Sequence, residues 1–249
     1  LSLDQIINNA AKWHYMFGGK MKVPIVIRLL VGRGWGQGPQ HSQSLQSIFA
    51  HIPGLKVVMP ATPYDAKGLL ISAVEDNNPV IFIEHRWLHN VLGDVPKEEY
   101  RIPIGKAKIV KEGVDLTIVS SSYMTLEAIR AAEALKKDGI NAEVLDLRTI
   151  KPLDQDMIME SVRRTGRLIL VDGDWESFGV SAEILALVSS NLFNSLKSSP
   201  MRIAFPDVPT PTSWALTNKY YPTSVEIINI ARNMLGVVVE KIGEFGTRE

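Results

Sequence analysis

The stretch LTIVSSSYMTLEAIRAAEALKKDGINAEVLDL, residues 116–147, decides the fold. It opens on an unbroken apolar run, Leu116–Ser120, of the kind found in strands buried on both faces. Leu126, Ile129, Ala132 and Leu135 then recur at helical spacing, and Asp138-Gly139 stops that helix. A second continuous run, Ala142–Leu147, follows. Strand, helix and strand in this order make a right-handed crossover between parallel strands.

The same alternation extends outward in both directions. Further strand-like runs are Val23–Arg28, Leu55–Met59, Val80–Glu84, Arg167–Val171 and Met201–Phe205. Between them lie helical patterns at Asp4–Met16, Tyr64–Val74, Gln155–Val162, Phe178–Leu192 and Val225–Leu235. The first has Ile6, Ile7, Ala10, Ala11 and His14 near one face, and Asp154 is positioned to cap the third. The reading is an α/β chain of two three-layer α/β/α domains. From Leu88 to Lys108 the alternation lapses, and Gly93, Pro96, Pro103 and Gly105 punctuate a stretch without a sustained period. The expected division is a first domain over 1–90, a linker over 91–108 and a second domain over 109–249. Four strand–helix pairs complete the second domain. The first has three strands and begins inside a helical pattern at Leu1-Ser2-Leu3, with no Met, so it is expected to be truncated at its N-terminal side.

Composition narrows the classes. The chain has 249 residues, 45% hydrophobic and 22% charged, the mix of a globular protein. Lys plus Arg and Asp plus Glu both number 27, and the zero formal net charge argues against nucleic acid or an anionic membrane surface as partner. There is no Cys, which excludes disulfides, thiolate metal sites and a cysteine nucleophile. The longest apolar stretch, Val23 to Val31, contains Arg28 and falls far short of the ~20 residues that span a bilayer. Asp4 and Gln5 stand where a secretory leader would be apolar, so none is expected in the residues given.

Several local patterns carry candidate chemistry. Gly32, Gly34, Gly36 and Gly38 alternate after the first strand, but Gln37 and Pro39 break the dinucleotide fingerprint, and the segment reads as an active-site or interface loop. His41 follows it, at a strand end where open α/β sheets place ligands. It reads either as a proton-moving imidazole or as a cap on the next helix. Glu84, His85 and His89 resemble a ligand cluster, but spacing of four needs a helix where a strand is ending, which favours a polar boundary loop. Asp76-Asn77-Asn78-Pro79 fits a hard-cation site or a plain turn equally. Asp172-Gly173-Asp174-Trp175 offers catalytic carboxylates or caps for the helix at Phe178. No Gly-x-Ser-x-Gly elbow is present.

Longer runs point to one family. His51-Ile52-Pro53-Gly54-Leu55-Lys56-Val57-Val58-Met59-Pro60, Asp65-Ala66-Lys67-Gly68-Leu69-Leu70 and Asp76-Asn77-Asn78-Pro79-Val80 are joined by Ile104-Gly105-Lys106-Ala107. Glu143 to Ile150, Pro152-Leu153-Asp154, Phe178-Gly179-Val180 and Ala182-Glu183-Ile184 continue the series. Over essentially its whole length the chain resembles the beta subunit of the decarboxylase in 2-oxo acid dehydrogenase complexes. The resemblance implies a pyrimidine-binding domain followed by a transketolase C-terminal-like domain. It implies thiamine diphosphate and magnesium shared with an alpha subunit, decarboxylation of a 2-oxo acid, and acyl transfer to a lipoyl group. It implies as partners that alpha subunit, a second beta subunit and the dihydrolipoyl acyltransferase core, in a bacterial or archaeal cytoplasm or a mitochondrial matrix. His41 matches the family's active-site His, which positions the lipoyl arm. Ile25, Ala73, Val74, Asp76 and Asn78 match a monovalent-cation site, for potassium, built mostly of backbone carbonyls. The family's diphosphate motif, Gly-Asp-Gly with a later Asn-Asn, is absent, and its activating Glu is expected upstream of residue 1. Two alternatives stand beside this: a catalytically incomplete assembly module, and a fragment of another transketolase-like enzyme.

Overall fold

The computed structural model describes residues 2–32 and 37–237. A helical run opens the chain: α1 (Ser2–Asp4), a π-helical segment (Gln5–Ala10) and α2 (Ala11–Met16). Strand β1 (Val26–Val31) leads through α3 (Gly38–His41) and α4 (Gln46–His51) to β2 (Lys56–Val58), α5 (Pro63–Glu75) and β3 (Val80–His85). Residues 91–107 form no helix or strand. The second half runs β4 (Lys108–Lys111), β5 (Leu116–Ser120), α6 (Tyr123–Lys136), β6 (Ala142–Asp146), β7 (Thr149–Lys151) and α7 (Gln155–Thr165). It ends with β8 (Leu168–Trp175), α8 (Val180–Leu192), β9 (Met201–Phe205), α9 (Trp214–Tyr220) and α10 (Ser224–Leu235). None of the described helices is long and apolar enough to cross a membrane.

Local chemistry explains the helix boundaries. Thr62 caps α5 by accepting from Asp65 N at 3.1 Å, with Pro63 preset for the first turn. Asp154 caps α7 as the sequence predicts, accepting from Met157 N at 3.4 Å. Thr223 and Glu226 form a reciprocal capping box on α10.

The strands form two sheets. The first has order β1-β3-β2-β7 and the second β4-β6-β5-β8-β9. All pairings are parallel except β2 with β7 and β4 with β6. One apolar core holds Val57 and Ile81 of the first sheet with Val119 and Leu145 of the second. Separate cores sit outside each sheet, around Phe82 and Leu69 in one and around Ile118 and Ala131 in the other.

Four expectations are corrected. The first strand is Val26–Val31, not Val23–Arg28, because Val23 N turns onto Asn77 O and parallel pairing begins only at Val26 opposite Val80. Strands β4 and β7 are not among the runs read from the sequence; both are short, antiparallel and end on Lys, without an apolar run. Asp172 to Trp175 belongs to β8 rather than to a loop beyond it, and α8 starts at Val180, not Phe178. His14 is exposed, its Nδ1 2.9 Å from Met21 O, rather than on a buried face. Gly34 and Gly36 lie outside the described residues.

Candidate functional site at the junction of the two sheets

The carboxyl end of β1 delivers the chain into the segment carrying His41. Gly32 adopts φ +82°, and a Cβ there would stand 2.4 Å from His85 Nε2. Pro39 lies in the first turn of α3, and His41 is its last residue, exposed to solvent. The other side of this segment is buried: Ser42, Ser44 and Gln46 are all shielded from water. Ser42 Oγ, Ser44 Oγ and Gln46 Oε1 have no hydrogen-bond partner among the described residues.

What seats the segment is the second half of the chain. Gln46 Nε2 donates to Gly173 O at 3.2 Å, and Ser47 Oγ donates to Asp174 Oδ2 at 2.5 Å. Thr210 Oγ1 donates to Ser42 O at 3.5 Å. Gly38 has φ +61°, and a Cβ on it would meet Thr212 Oγ1 at 2.5 Å, so only glycine lets the segment settle on that loop. Asp174 Oδ1 accepts from Trp175 N at 2.8 Å. Burial, then the neighbouring Asp172 charge, pushes its carboxyl up to about 6. Asp172 accepts from Ser181 N at 2.7 Å, so the capping half of its reading holds, and burial raises its carboxyl too.

His85 and His89 do not form a metal site. His85 is buried, stacked on Tyr123 at 5.0 Å between ring centroids and edge-on to Trp87 at 5.3 Å. Its Nδ1 accepts from Trp87 N at 3.2 Å. Burial first, then the neighbouring His89 and Arg86, drives its imidazole down to about 3, so the ring is neutral. Glu84 is taken by Arg28 at 2.6 Å. A cleft of about 220 Å³ opens beside these residues, at the carboxyl ends of β2 and β3, between Pro60, Thr62, Leu88 and His89.

The five cation-site candidates gather at the opposite end of the first sheet. Ile25 O accepts from Val80 N at 3.0 Å, and Ala73 O accepts from Asp76 N at 3.4 Å. Asp76 Oδ1 accepts from Asn78 N at 2.8 Å, while its other oxygen pairs with the Lys56 ammonium. Val74 is exposed. The carbonyls of Ile25 and Ala73 each keep a second lone pair, and the Lys56 ammonium already supplies a positive charge beside Asp76. No three His, Asp or Glu side chains converge among the described residues, and Asp172 and Asp174 are committed to Ser181 and Ser47.

A buried charge cluster escaped the sequence reading. Arg148, at φ +56° between β6 and β7, reaches Asp65 at the start of α5, with Nη2 2.5 Å from Oδ1. Asp146 beside it accepts from Arg148 N at 3.1 Å and from Thr125 Oγ1 at 3.3 Å. Burial pushes its carboxyl up to about 7. Lone charges in otherwise apolar runs were the available signal.

Two parallel α/β units whose ligand-side loops meet at a shared junction define a two-domain transketolase-like chain. Comparison with known proteins agrees. Residues 3–90 match the transketolase pyrimidine-binding domain and residues 105–227 the transketolase C-terminal domain. A split-gene transketolase, solved as an inactive beta4 tetramer, superposes with a TM-score of 0.75 at 24% identity, over 95% of this chain and 72% of that one. Acetoin:2,6-dichlorophenolindophenol oxidoreductase subunit beta of Cupriavidus necator is 48% identical over 232 residues, covering 93% of this chain and 69% of the relative. The pyruvate dehydrogenase E1 component subunit beta of Bacillus subtilis is 42% identical, covering 94% and 72%. The 2-oxoisovalerate dehydrogenase subunit beta of the same organism is 40% identical, again over 94% and 72%. The chain belongs to this family of beta subunits of 2-oxo acid and acetoin dehydrogenases, and is an enzyme subunit.

Proposed function

We propose that this chain, paired with an alpha subunit, serves thiamine-diphosphate-dependent oxidative decarboxylation of a 2-oxo acid, followed by acyl transfer to a lipoyl group. Family membership over 93% of the chain supports the reaction class. The observation that carries the site is His41, exposed at the end of α3 while the residues behind it are buried against β8. Thiamine diphosphate supplies the electron sink for decarboxylation. Its diphosphate and magnesium are assigned to the alpha partner, because this sequence lacks the Gly-Asp-Gly and later Asn-Asn of the family's diphosphate motif. A second copy of this chain completes an α2β2 heterotetramer, which docks on the acyltransferase core. Potassium is assigned to the corner of Ile25, Ala73, Val74, Asp76 and Asn78. The domain division at 1–90, 91–108 and 109–249 belongs to the same proposal.

The step given to this chain is a proton transfer. When a lipoyl disulfide opens, one sulfur takes the acyl group and the other leaves as a thiolate that needs a proton. The His41 imidazole donates it. A positioned general acid contributes about 100-fold or more. Decarboxylation itself does not use that proton. In the full-length protein assembled with its alpha subunit, His41→Ala is expected to slow reductive acylation by about two orders of magnitude. Oxidation by an artificial electron acceptor falls much less. Equal losses in both rates overturn the assignment in favour of substrate positioning. No change in either makes His41 a bystander.

A further inference from the structure

We propose that Asp174, on strand β8 of the second domain, is a positioning residue for His41, and that Ser47 transmits its hold. The proposal rests on the reading of His41 as the lipoyl-side proton donor and extends it to a residue from the other half of the chain.

Asp174 is buried, yet it lies at the end of a strand that continues past its apolar core. A carboxylate out of water is costly unless it is well bonded. Its two oxygens divide their work. Oδ1 takes Trp175 N on its own strand, and Oδ2 takes Ser47 Oγ at 2.5 Å, on α4. Ser47 stands six positions beyond His41, and the intervening residues have few other polar anchors. Ser42 Oγ and Ser44 Oγ bond nothing among the described residues. Three hydrogen bonds among the described residues tie the segment to the second half of the chain, beside the apolar packing of Leu45: Ser47 on Asp174, Gln46 on Gly173 O, and Ser42 O under Thr210. Two of these land on adjacent residues of β8. The shortest involves an acidic acceptor, and a hydrogen bond to such a group is about twice as strong as a neutral one.

The placement separates positioning from scaffolding. Deleting the acceptor at Asp174 loosens the start of α4, while Leu45 and Phe49 keep the helix seated on the apolar core around Val57 and Val119. The segment that carries His41 is then held by Gln46, by Thr210 on Ser42 O, by the packing of Leu45 and by the approach of Gly38 to Thr212. A displacement of that loop by about 1 Å is enough to cost a proton transfer one to two orders of magnitude. It does not have to unfold anything.

The test uses the full-length protein assembled with its alpha subunit. Asp174→Ala removes the acceptor, Asp174→Asn keeps a carbonyl oxygen for Ser47 to bond, and Ser47→Ala removes the donor. Two readouts are taken. One is the ratio of lipoyl acylation rate to artificial-acceptor oxidation rate. The other is the rate at which diethyl pyrocarbonate modifies His41, followed by mass spectrometry of its peptide. Asp174→Ala and Ser47→Ala should each lower the rate ratio about tenfold and change the modification rate of His41, and the pair together should do no more than either alone. Asp174→Asn should restore most of both. Placed on His41→Ala, Asp174→Ala should lower the ratio no further. An Asp174→Ala protein that melts lower but keeps the wild-type ratio and the wild-type modification rate overturns the proposal. So does a multiplicative effect with His41→Ala. If His41→Ala itself leaves the ratio unchanged, the catalytic reading of His41 fails. The modification rate then decides alone, and an unchanged rate in Asp174→Ala overturns the positioning claim.

Discussion

The two sheets share a direction of chain travel and differ in how they finish. The second is closed by its own segment: β5 and β6 are buried along their whole length, and its outer strand β4 carries Lys108 and Lys111 at its ends. Charged residues on an edge strand discourage further pairing. The first sheet has β1 on one edge, with Leu30 50% exposed, and on the other edge a strand that follows β6 in sequence. That strand, β7, sets Lys151 opposite Val57 and Thr149 opposite Val58. Arg148 at the crossing point pairs with Asp65, and Met59 N donates to Arg148 O at 2.8 Å. The second sheet is thus built from one run of chain, and the first takes a strand from the other half. His41 follows the first sheet and its segment is seated on the second.

The sharpest way to break this comparison is Arg148→Ala. It leaves the Asp65 carboxylate buried and unpaired, which costs about 3–5 kcal/mol. Urea unfolding measures the total. Hydrogen exchange locates it: amides of β2 and β7 should lose protection before those of β5 and β6. Uniform loss across both sheets would show that they unfold as one, and the contrast would fall.

The pH dependence of stability is the next largest effect. Asp146, facing Asp65, Arg148 and Thr125, is pushed up to about 7 by burial. The unfolded chain holds a carboxyl near 3.9, so folding favours the protonated form. That contribution is complete below about pH 4 and is lost as pH rises through about 7. Asp174, pushed up to about 6, has the same sign and a narrower window. Asp146→Asn should therefore gain on the wild type between pH 4 and 8, by on the order of 2–4 kcal/mol at the alkaline end. Urea midpoints across that range check it, and parallel pH curves for the two proteins would contradict it.

A smaller change sharpens the contrast from the other side. Thr223→Ala removes the capping box of α10, whose Ile227 and Ala231 pack on the second sheet. The expected cost is about 1 kcal/mol in a thermal melt. Exchange should quicken in α10 and the neighbouring α6, with the β1–β3 amides unaffected. Spread into the first sheet would mean that the second is less independent than its closure suggests.

Much of this was legible in the residues. The unbroken runs at Leu116–Ser120 and Ala142–Leu147, and the stripe from Leu126 to Leu135, mark strand, helix and strand because burial on both faces demands apolar residues at every position. Asp154 and Asp138-Gly139 mark helix ends through bonds made within a few residues. His41 was legible as a candidate from its place after a strand end. The partners that seat it were not. Gln46 and Ser47 are each 127 residues from their contacts on β8, and no periodicity encodes such a distance.

From the sequence alone came the α/β class, the core parallel strands and the zero net charge that argues against a nucleic-acid role. These rest on spacing, composition and caps, which act within a turn of helix or along a single strand. Tertiary structure alone decided that β7 crosses to the first sheet, that Arg148 meets Asp65, and that Asp174 is a buried acceptor within β8 rather than a loop carboxylate. Three residues such as Thr149–Lys151 hold too little apolar surface to declare a partner. Their pairing is selected only when both sheets are in place and leave one edge, one carboxylate and one row of backbone donors to be satisfied together.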